Sequence, residues 1–352
     1  MVLDEAKLHE FVGKAVGEWG AAMGALLIFV GDRLGLFKAM SGAGALMPEE
    51  LARKTGTNPR IIKEWLAAQA AGGIVRYDAA TARYTLPEEQ AFALSDENSP
   101  AYIAGGYQIL AGLFKDEEKI LNAFRTGKGL GWGDHHHYLF QGTERFFKPN
   151  YVTNLTTSWI PALEGVEAKL QRGGARVADV GCGHGASTFV MAKAYPNSKI
   201  VGYDYHKPSI EWARKQAETE GLKNITFEVA GSTDYPGDDY DMVAFFDCYH
   251  DMGNPSGAAK HVLQSLKKKN GTWMLVEPFA NDKVEDNLNP LGRVFYSAST
   301  LVCVPASLNE NGPALGAQAG ESRTKEIVMS AGFSSFRRAT QTPFNLVYEA
   351  RP

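Results

Sequence analysis

The sequence predicts an α/β protein. Its main part is a doubly wound, Rossmann-like sheet closed by a C-terminal β-hairpin, preceded by a mainly α winged-helix domain. Three observations carry this reading. From Val177 onward, short apolar runs (RVADV, KIVGYD, ITFEVA, DMVAFFD, TWMLVE) alternate with helix-like stretches such as 208–220 and 255–266. That alternation is the pattern of a parallel sheet with crossover helices. A last pair of runs, SSFRRATQT and NLVYEAR, is separated only by Pro343-Phe344-Asn345 and predicts an antiparallel edge. The first third runs helix, turn, helix, hairpin.

The N-terminal elements follow from local signals. Residues 18–38 read as an apolar-rich helix. PEELARKT (48–55) has acidic residues in its first turn, where the helix dipole favours them. Asn58 is an expected N-cap and Pro59 a first helical residue. The helix 59–71 sets Ile61, Ile62, Trp65 and Leu66 on one face and ends at Gly72-Gly73. Runs 74–77 and 83–86, joined by DAATA, form the wing. The expected domains are 1–95, a winged-helix and dimerisation domain; 96–170, a helical connector and pocket lid; and 171–352, the sheet domain.

Composition bounds the function. The chain has 352 residues, 44% hydrophobic and 22% charged, with a net charge of −4. That is ordinary globular usage and gives no electrostatic footprint for nucleic acid or an anionic membrane. The longest unbroken apolar run is 25–30, so no membrane span is expected. MVLDEAKLHEF does not have the pattern of a secretory signal. Cys182, Cys248 and Cys303 are too scattered for a disulfide framework. The expected compartment is the cytoplasm.

The segment VADVGCGHGAS carries the most chemistry. A buried strand ends at Asp179-Val180, Gly181, Gly183 and Gly185 follow, and a helix starts near Ala186. Glycine admits positive φ and close backbone approach, and the helix start offers unpaired N–H groups. Asp204, at the end of the next strand, is placed to accept both ribose hydroxyls of an adenosine. Gly181-x-Gly183-x-x-Ala186 also fits a dinucleotide fingerprint, which keeps an NAD-dependent oxidoreductase as an alternative. A carboxylate at Asp179 suits an ammonium group better than a pyrophosphate. S-adenosylmethionine (SAM) carries that ammonium and NAD does not. Cys182 sits inside the turn as a small buried filler, Tyr205 follows the acid, and Phe246 and Asp247 end the fourth strand; all four are candidate cofactor contacts.

A second cluster lies beyond the fourth and fifth strands. His250, in FFDCYHDMGNP, falls at the carboxyl edge where open α/β sheets bind ligands. Histidine titrates near neutrality and is the commonest general base. Glu277 ends the next strand, and a carboxylate beside an imidazole orients it.

With these motifs on the page, the chain resembles SAM-dependent methyltransferases of the small-molecule O-methyltransferase type. It is more closely similar to a bacterial branch with an N-terminal winged helix, on GASTFVMAKAYPNS, DYHKPSI, HDMGNP, DNLNPLGR, GAQAGES and TPFNLVYEARP. The resemblance implies SAM as cofactor and S-adenosylhomocysteine (SAH) as product. It implies that His250, of the His250-Asp251 pair, deprotonates a small-molecule acceptor and that Glu277 flanks it. It also implies a catalytic Glu321, although Glu321-Ser322-Arg323-Thr324 carries a serine the family motif lacks. Gly231-Ser232 stands where the family often has Gly-Asp near the adenine, which shifts that contact toward Asp234. Met252 replaces a tryptophan that often follows the pair. The resemblance further implies a homodimer joined through the winged-helix domain.

Other signals are weighed beside this. Between 48 and 86 there are six basic and four acidic residues, too even a balance for a DNA reader. A SAM-sensing winged-helix regulator remains the non-enzyme alternative. His135, His136 and His137 read as a polar loop, and no metal set is assigned. One of them with His250 and a carboxylate would make a facial iron site, which keeps a metal-assisted C-methyltransferase of a 2-oxo acid as a further alternative. Tyr107, Trp132, Phe140, Phe146, Phe147, Phe295 and Tyr296 are candidate pocket aromatics.

Overall fold

A computed structural model describes residues 3–352. The chain divides into two compact units: Met1–Phe114 with Gln141–Pro149, and Lys115–Phe140 with Asn150–Pro352. The stretch 96–170 is thus shared between the units.

In the first unit, a 29-residue helix, Glu5–Arg33, is capped by Asp4, whose carboxylate accepts from the Ala6 and Lys7 amides. It starts well before residue 18, where the sequence reading began it, because the cap at Asp4 starts the helix before the apolar pattern does. It also stops short of residue 38. Gly35, at φ 67°, breaks the chain before the short helix Leu36–Met40. The helices Pro48–Thr55 and Pro59–Ala71 follow, the second capped by Asn58 as expected. Strands β1 (Arg76–Asp78) and β2 (Arg83–Thr85) pair antiparallel as the wing. Leu36, Phe37, Leu51, Ile62, Trp65 and Leu66 form the core. Trp65 Nε1 donates to the Leu27 carbonyl at 2.9 Å, tying the long helix to the winged helix.

The second unit is built on a seven-stranded sheet. Its strands are β3 (Arg176–Val180), β4 (Lys199–Asp204), β5 (Ile225–Val229), β6 (Met242–Phe246), β7 (Thr272–Pro278), β8 (Ser335–Gln341) and β9 (Asn345–Arg351). Their spatial order is β5-β4-β3-β6-β7-β9-β8. The first five in that order are parallel, and the hairpin β8–β9 joins β7 antiparallel. Central strands β6 and β7 are buried throughout, which explains their near-continuous apolar runs. The winding direction reverses between β3 and β6, and such a reversal opens a crevice at the carboxyl ends of those two strands. The glycine turn and the His250 turn both leave the sheet there.

Among the described residues, two helices, Glu5–Arg33 and Pro290–Asn309, are long and apolar enough to cross a membrane by length and composition. The unbroken-run argument missed them because an average over a window tolerates glycines and an occasional charge.

Candidate active site

The glycine turn is held from both flanks. Asp179, fully buried on β3, accepts from Ser187 Oγ at 2.6 Å and Thr188 Oγ1 at 2.7 Å through one oxygen. Both hydroxyls stand in the first turn of the helix Ala186–Ala194. The other oxygen, Oδ1, is buried with no hydrogen-bond partner. Burial pushes the carboxyl up to about 6. An unsatisfied buried acceptor of this kind costs about 1–3 kcal/mol, and a cationic N–H donor is what would relieve it. Gly183, at φ 53°, has open space where a Cβ would stand. Gly181, at φ 74°, would set a Cβ 2.6 Å from Cys248 Sγ.

Asp204 closes the turn from β4. Its oxygens accept from the Gly183 amide at 2.9 Å and the His206 amide at 2.8 Å. The sequence reading has this carboxylate accept both ribose hydroxyls of an adenosine. The structure spends one lone pair of each oxygen on the backbone, and a carboxylate retains about two further acceptor positions. Tyr205 is half-exposed beside it. Cys182 is buried under the turn, its thiol raised by burial. The loop after β5 closes on itself, Asp234 accepting from the Gly231 amide at 2.8 Å, with Ser232 between them. These features fit SAM: an orphaned acceptor for the ammonium, an open glycine backbone, and a carboxylate at the expected end of the second strand of the unit.

The second centre is built on the turn after β6. Asp247 adopts a left-handed φ of 51°, uncommon for a residue with a Cβ and characteristic of functional turns. Asn345 Nδ2 donates to its Oδ1 at 2.6 Å and the Tyr151 hydroxyl to its Oδ2 at 3.3 Å. Asn150 Nδ2 in turn holds Asn345 Oδ1 at 2.6 Å. Burial, then the Glu277 charge, pushes Asp247 up to about 8. Phe246 packs its ring against Tyr151 and Trp159.

Three residues on, His250 Nδ1 lies 2.8 Å from Glu277 Oε2, with both side chains buried. Glu277 Oε1 accepts from the Tyr249 amide at 3.2 Å. Both carboxylate oxygens thus fix the same turn. Burial pulls the imidazole pKa down, and the Glu277 carboxylate more than reverses it, so His250 is held above its ordinary range. Asp251 is pushed up to about 7 by burial.

Glu321 is the exception among the expected catalytic residues. It opens the helix Gly320–Ser330, and its carboxylate is taken by Arg338 of β8, Nε to Oε2 at 2.6 Å. The carboxylate on the imidazole is Glu277 alone among the described residues. The histidine loop also resolves differently from a ligand set. His135 Nδ1 and the His136 amide turn around Asp116, at 3.0 and 2.7 Å. Among the described residues, no three His, Cys, Asp or Glu side chains converge as a metal requires.

Of the candidate aromatics, Trp132 and Phe140 meet at 5.4 Å, and Phe140 covers the His206 ring at 4.7 Å. A cavity of about 350 Å³ lies beyond β7, between Phe279, Asn287 and Leu291 on one side and Gln341–Pro343 on the other. Sequence reasoning missed two residues, Tyr151 in the helical connector and Asn345 at the hairpin turn, which both hold Asp247.

Residues 171–327 match the Methyltransferase domain family, and residues 21–96 match the Rv2258c-like winged HTH domain. Aklanonic acid methyltransferase of Streptomyces sp. (strain C5) is 40% identical over 73 residues, 20% of this chain and 33% of that protein. The chain spans about a quarter to a half of the length of curated relatives it matches. Two solved structures align over nearly all of both chains. Mitomycin 7-O-methyltransferase has a TM-score of 0.72 at 17% identity, covering 99% of each chain. Human N-acetylserotonin methyltransferase in complex with SAM has 0.69 at 16%, covering 100% of this chain and 99% of that one. At such identities the likeness shows the fold. The matches, in keeping with the sheet order, give the chain a methyltransferase domain over residues 171–327 and an Rv2258c-like winged HTH domain over residues 21–96.

Proposed function

We propose that this chain transfers the SAM methyl group to an oxygen or sulfur nucleophile of a small molecule, with His250 as general base. The observation that carries the reading is the buried His250–Glu277 pair at the carboxyl edge of the sheet, beside the glycine turn. When bound, SAM supplies a methyl carbon already activated by its sulfonium.

The chain's own residues then have two tasks. Asp179 would hold the ammonium end, Gly181, Cys182 and Gly183 would offer backbone, and Asp204 would take the ribose. Tyr205, Gly231, Ser232 and Asp234 would flank the adenine, with Phe246 and Asp247 at the methionine end. Fixing a nucleophile in line is worth roughly 7–11 kcal/mol, and a positioned base adds about 10²–10⁴-fold. His250 takes the acceptor proton at Nε2, because Nδ1 is committed to Glu277. The carboxylate stabilises the imidazolium that results. A phenol (pKa about 10) or a thiol (about 8.5) is within reach of such a base.

The test uses methyl-labelled SAM with a panel of phenols, catechols, thiols, amines and 2-oxo acids. Label in phenols or thiols, reduced at least about 10²-fold in His250→Ala with SAH binding intact, is expected. A loss below about tenfold overturns the base. Label confined to amines or 2-oxo acids overturns the acceptor class.

We also propose a homodimer formed through the N-terminal unit. Along Glu5–Arg33, Leu8, Val12, Val16, Trp19, Met23 and Leu26 recur at helical spacing, all exposed, with Trp19 70% accessible. Gly13, Gly17, Gly20 and Gly24 have no atom near their missing Cβ, leaving room for another helix to approach. The stripe runs along a helix of about 43 Å, long enough to bury against its own copy. The exposed Ile61 and the Arg60–Glu64 pair on helix Pro59–Ala71 support a role other than reading DNA. We place the chain in the cytoplasm, in keeping with three free thiols.

A further inference from the structure

The geometry points to the cavity beyond β7 as the seat of the methyl acceptor's non-reacting part, an uncharged ring system bearing a carbonyl or ether oxygen. The inference rests on the reading of His250 as the base and names the class of acceptor that base would serve. The cavity measures about 350 Å³, and pockets for small molecules run from about 300 to 1,000 Å³. It lies at the ends of β7 and β8, the sheet edge at which His250 and Glu277 meet.

The cavity walls are tied to that pair. Phe279, two residues beyond Glu277, is held on both sides. Its amide donates to the Phe344 carbonyl at 2.8 Å, and its carbonyl accepts from Gln318 Nε2 at 3.0 Å. The same strap, 316–318, holds the His250 turn, the Gly316 amide donating to the His250 carbonyl at 3.0 Å. On the hairpin side the turn ends at Asn345, whose Nδ2 donates to Asp247 Oδ1 at 2.6 Å and to the Glu277 carbonyl at 3.5 Å. The outer wall is fixed as well. Asn287 and Asn281 bond each other through side chain and backbone, and a Cβ on Gly292 would collide with the Asn287 carbonyl oxygen. A cavity held on these three sides is pre-formed, as small-molecule sites usually are.

The lining sets the ligand's chemistry. Phe279, Leu291 and Pro343 supply apolar surface, and among the described residues no ionised side chain lines the cavity. A charged group placed there would lose its water with no counter-charge in exchange. Asn287 is fully engaged, its amide hydrogens going to the Asn281 and Lys283 carbonyls. Thr342 Oγ1 accepts from the Phe344 amide at 3.2 Å and the Asn345 amide at 3.0 Å. A hydroxyl has two lone pairs and one proton, so Thr342 has only its proton left to offer. Gln341 Oε1 is taken up by Arg338 Nη1 at 2.7 Å, which leaves the amide hydrogens. Donors lining an apolar, uncharged space call for an uncharged acceptor oxygen. With the nucleophile at His250, the substrate class is a phenol or thiol whose ring system carries a ketone, quinone or ether oxygen at its far end.

The experiment is calorimetry on the full-length protein saturated with SAH, using three matched probes: 2-naphthol, 6-acetyl-2-naphthol and 6-hydroxy-2-naphthoate. The ketone is expected to bind about fivefold or more tighter than the other two. Thr342→Val should remove that preference and Thr342→Ser should keep it. Leu291→Trp, which fills the cavity, should abolish it too, with SAH affinity unchanged. If Thr342→Val alone loses SAH, Leu291→Trp decides. Equal binding of the three probes, tighter binding of the carboxylate, no binding of the ketone, or a preference that survives Leu291→Trp overturns the inference. Methyl transfer from SAM is read separately. A ketone that binds with these dependences but is never methylated sinks the reading of His250 and leaves the cavity's ligand class standing. If 2-naphthol is methylated as readily as the ketone, in wild type and Leu291→Trp alike, His250 stands and the cavity has no part in the reaction.

Discussion

Nδ1 of His250 sits 2.8 Å from Oε2 of Glu277 across 27 residues of sequence, because β6 and β7 are parallel neighbours and both end at the same edge. Glu277→Gln keeps the shape and removes the charge. Its expected effect is a fall in kcat of about 10²-fold or more, as the ring loses its fixed tautomer and the support of its charged form. Because the carboxylate raises the His250 pKa, wild-type kcat/KM should rise with pH above the ordinary histidine range, and the rise should move to lower pH in Glu277→Gln. A pH–rate profile that does not move removes Glu277 from the base.

The two glycines of the turn should fail differently when replaced by alanine. Gly181→Ala drives a Cβ into Cys248 Sγ, so the expected cost is to the fold, about 1–3 kcal/mol. Gly183→Ala meets no atom. Its stability cost should be confined to the left-handed backbone, about 1–2 kcal/mol, while SAH affinity falls at least about tenfold because the Cβ enters the approach to the backbone. Urea melts and calorimetry with SAH separate the two effects. Equal loss of affinity without any difference in stability would contradict the geometry.

Asp247 makes stability depend on pH in a stated direction. Its folded pKa is raised to about 8 and that of Asp251 to about 7. A carboxyl raised on folding holds its proton in the native state where the unfolded chain has released it. Its contribution is complete below the unfolded pKa, near 4, and is lost as pH rises through about 7–8. The urea midpoint of the ligand-free protein should therefore fall between about pH 5 and pH 8.5, and fall less in Asp247→Asn. The asparagine can still accept from Asn345 and donate to Tyr151. An identical decline in both proteins would show that Asp247 is not the group responsible.

Trp19→Asp places a charge in the middle of the exposed apolar stripe. Sedimentation should find a dimer for wild type and a monomer for the variant, with the melting of the methyltransferase domain unchanged. A wild-type monomer, or extraction only with detergent, would reassign the stripe to another occupant.

The sequence was most legible where chemistry and backbone coincide. Gly181, Gly183 and Asp204 stand out in the sequence because a tight strand-to-helix turn needs those residue types at that spacing, and the structure sets Asp204 on the Gly183 amide and His250 beside Glu277. Asn345 and Tyr151 were not legible. Their roles arise from contacts with Asp247 across 98 and 96 residues, and neither lies in a pattern that local periodicity can read. Glu321 is marked by a motif, and in the structure its carboxylate pairs with Arg338 on the edge strand.

By itself the sequence determined the winged helix, the alternating sheet and the two strand ends at which the candidate site lies, since these follow from periodicity, caps and turns within some 20 residues. Only the tertiary structure decided which carboxylate reaches the imidazole and how Asp247 is held in a left-handed turn. Those outcomes depend on strand order and on competition between distant partners for buried groups, and a carboxylate goes to whichever cation or donor the packed chain sets within about 3 Å of it.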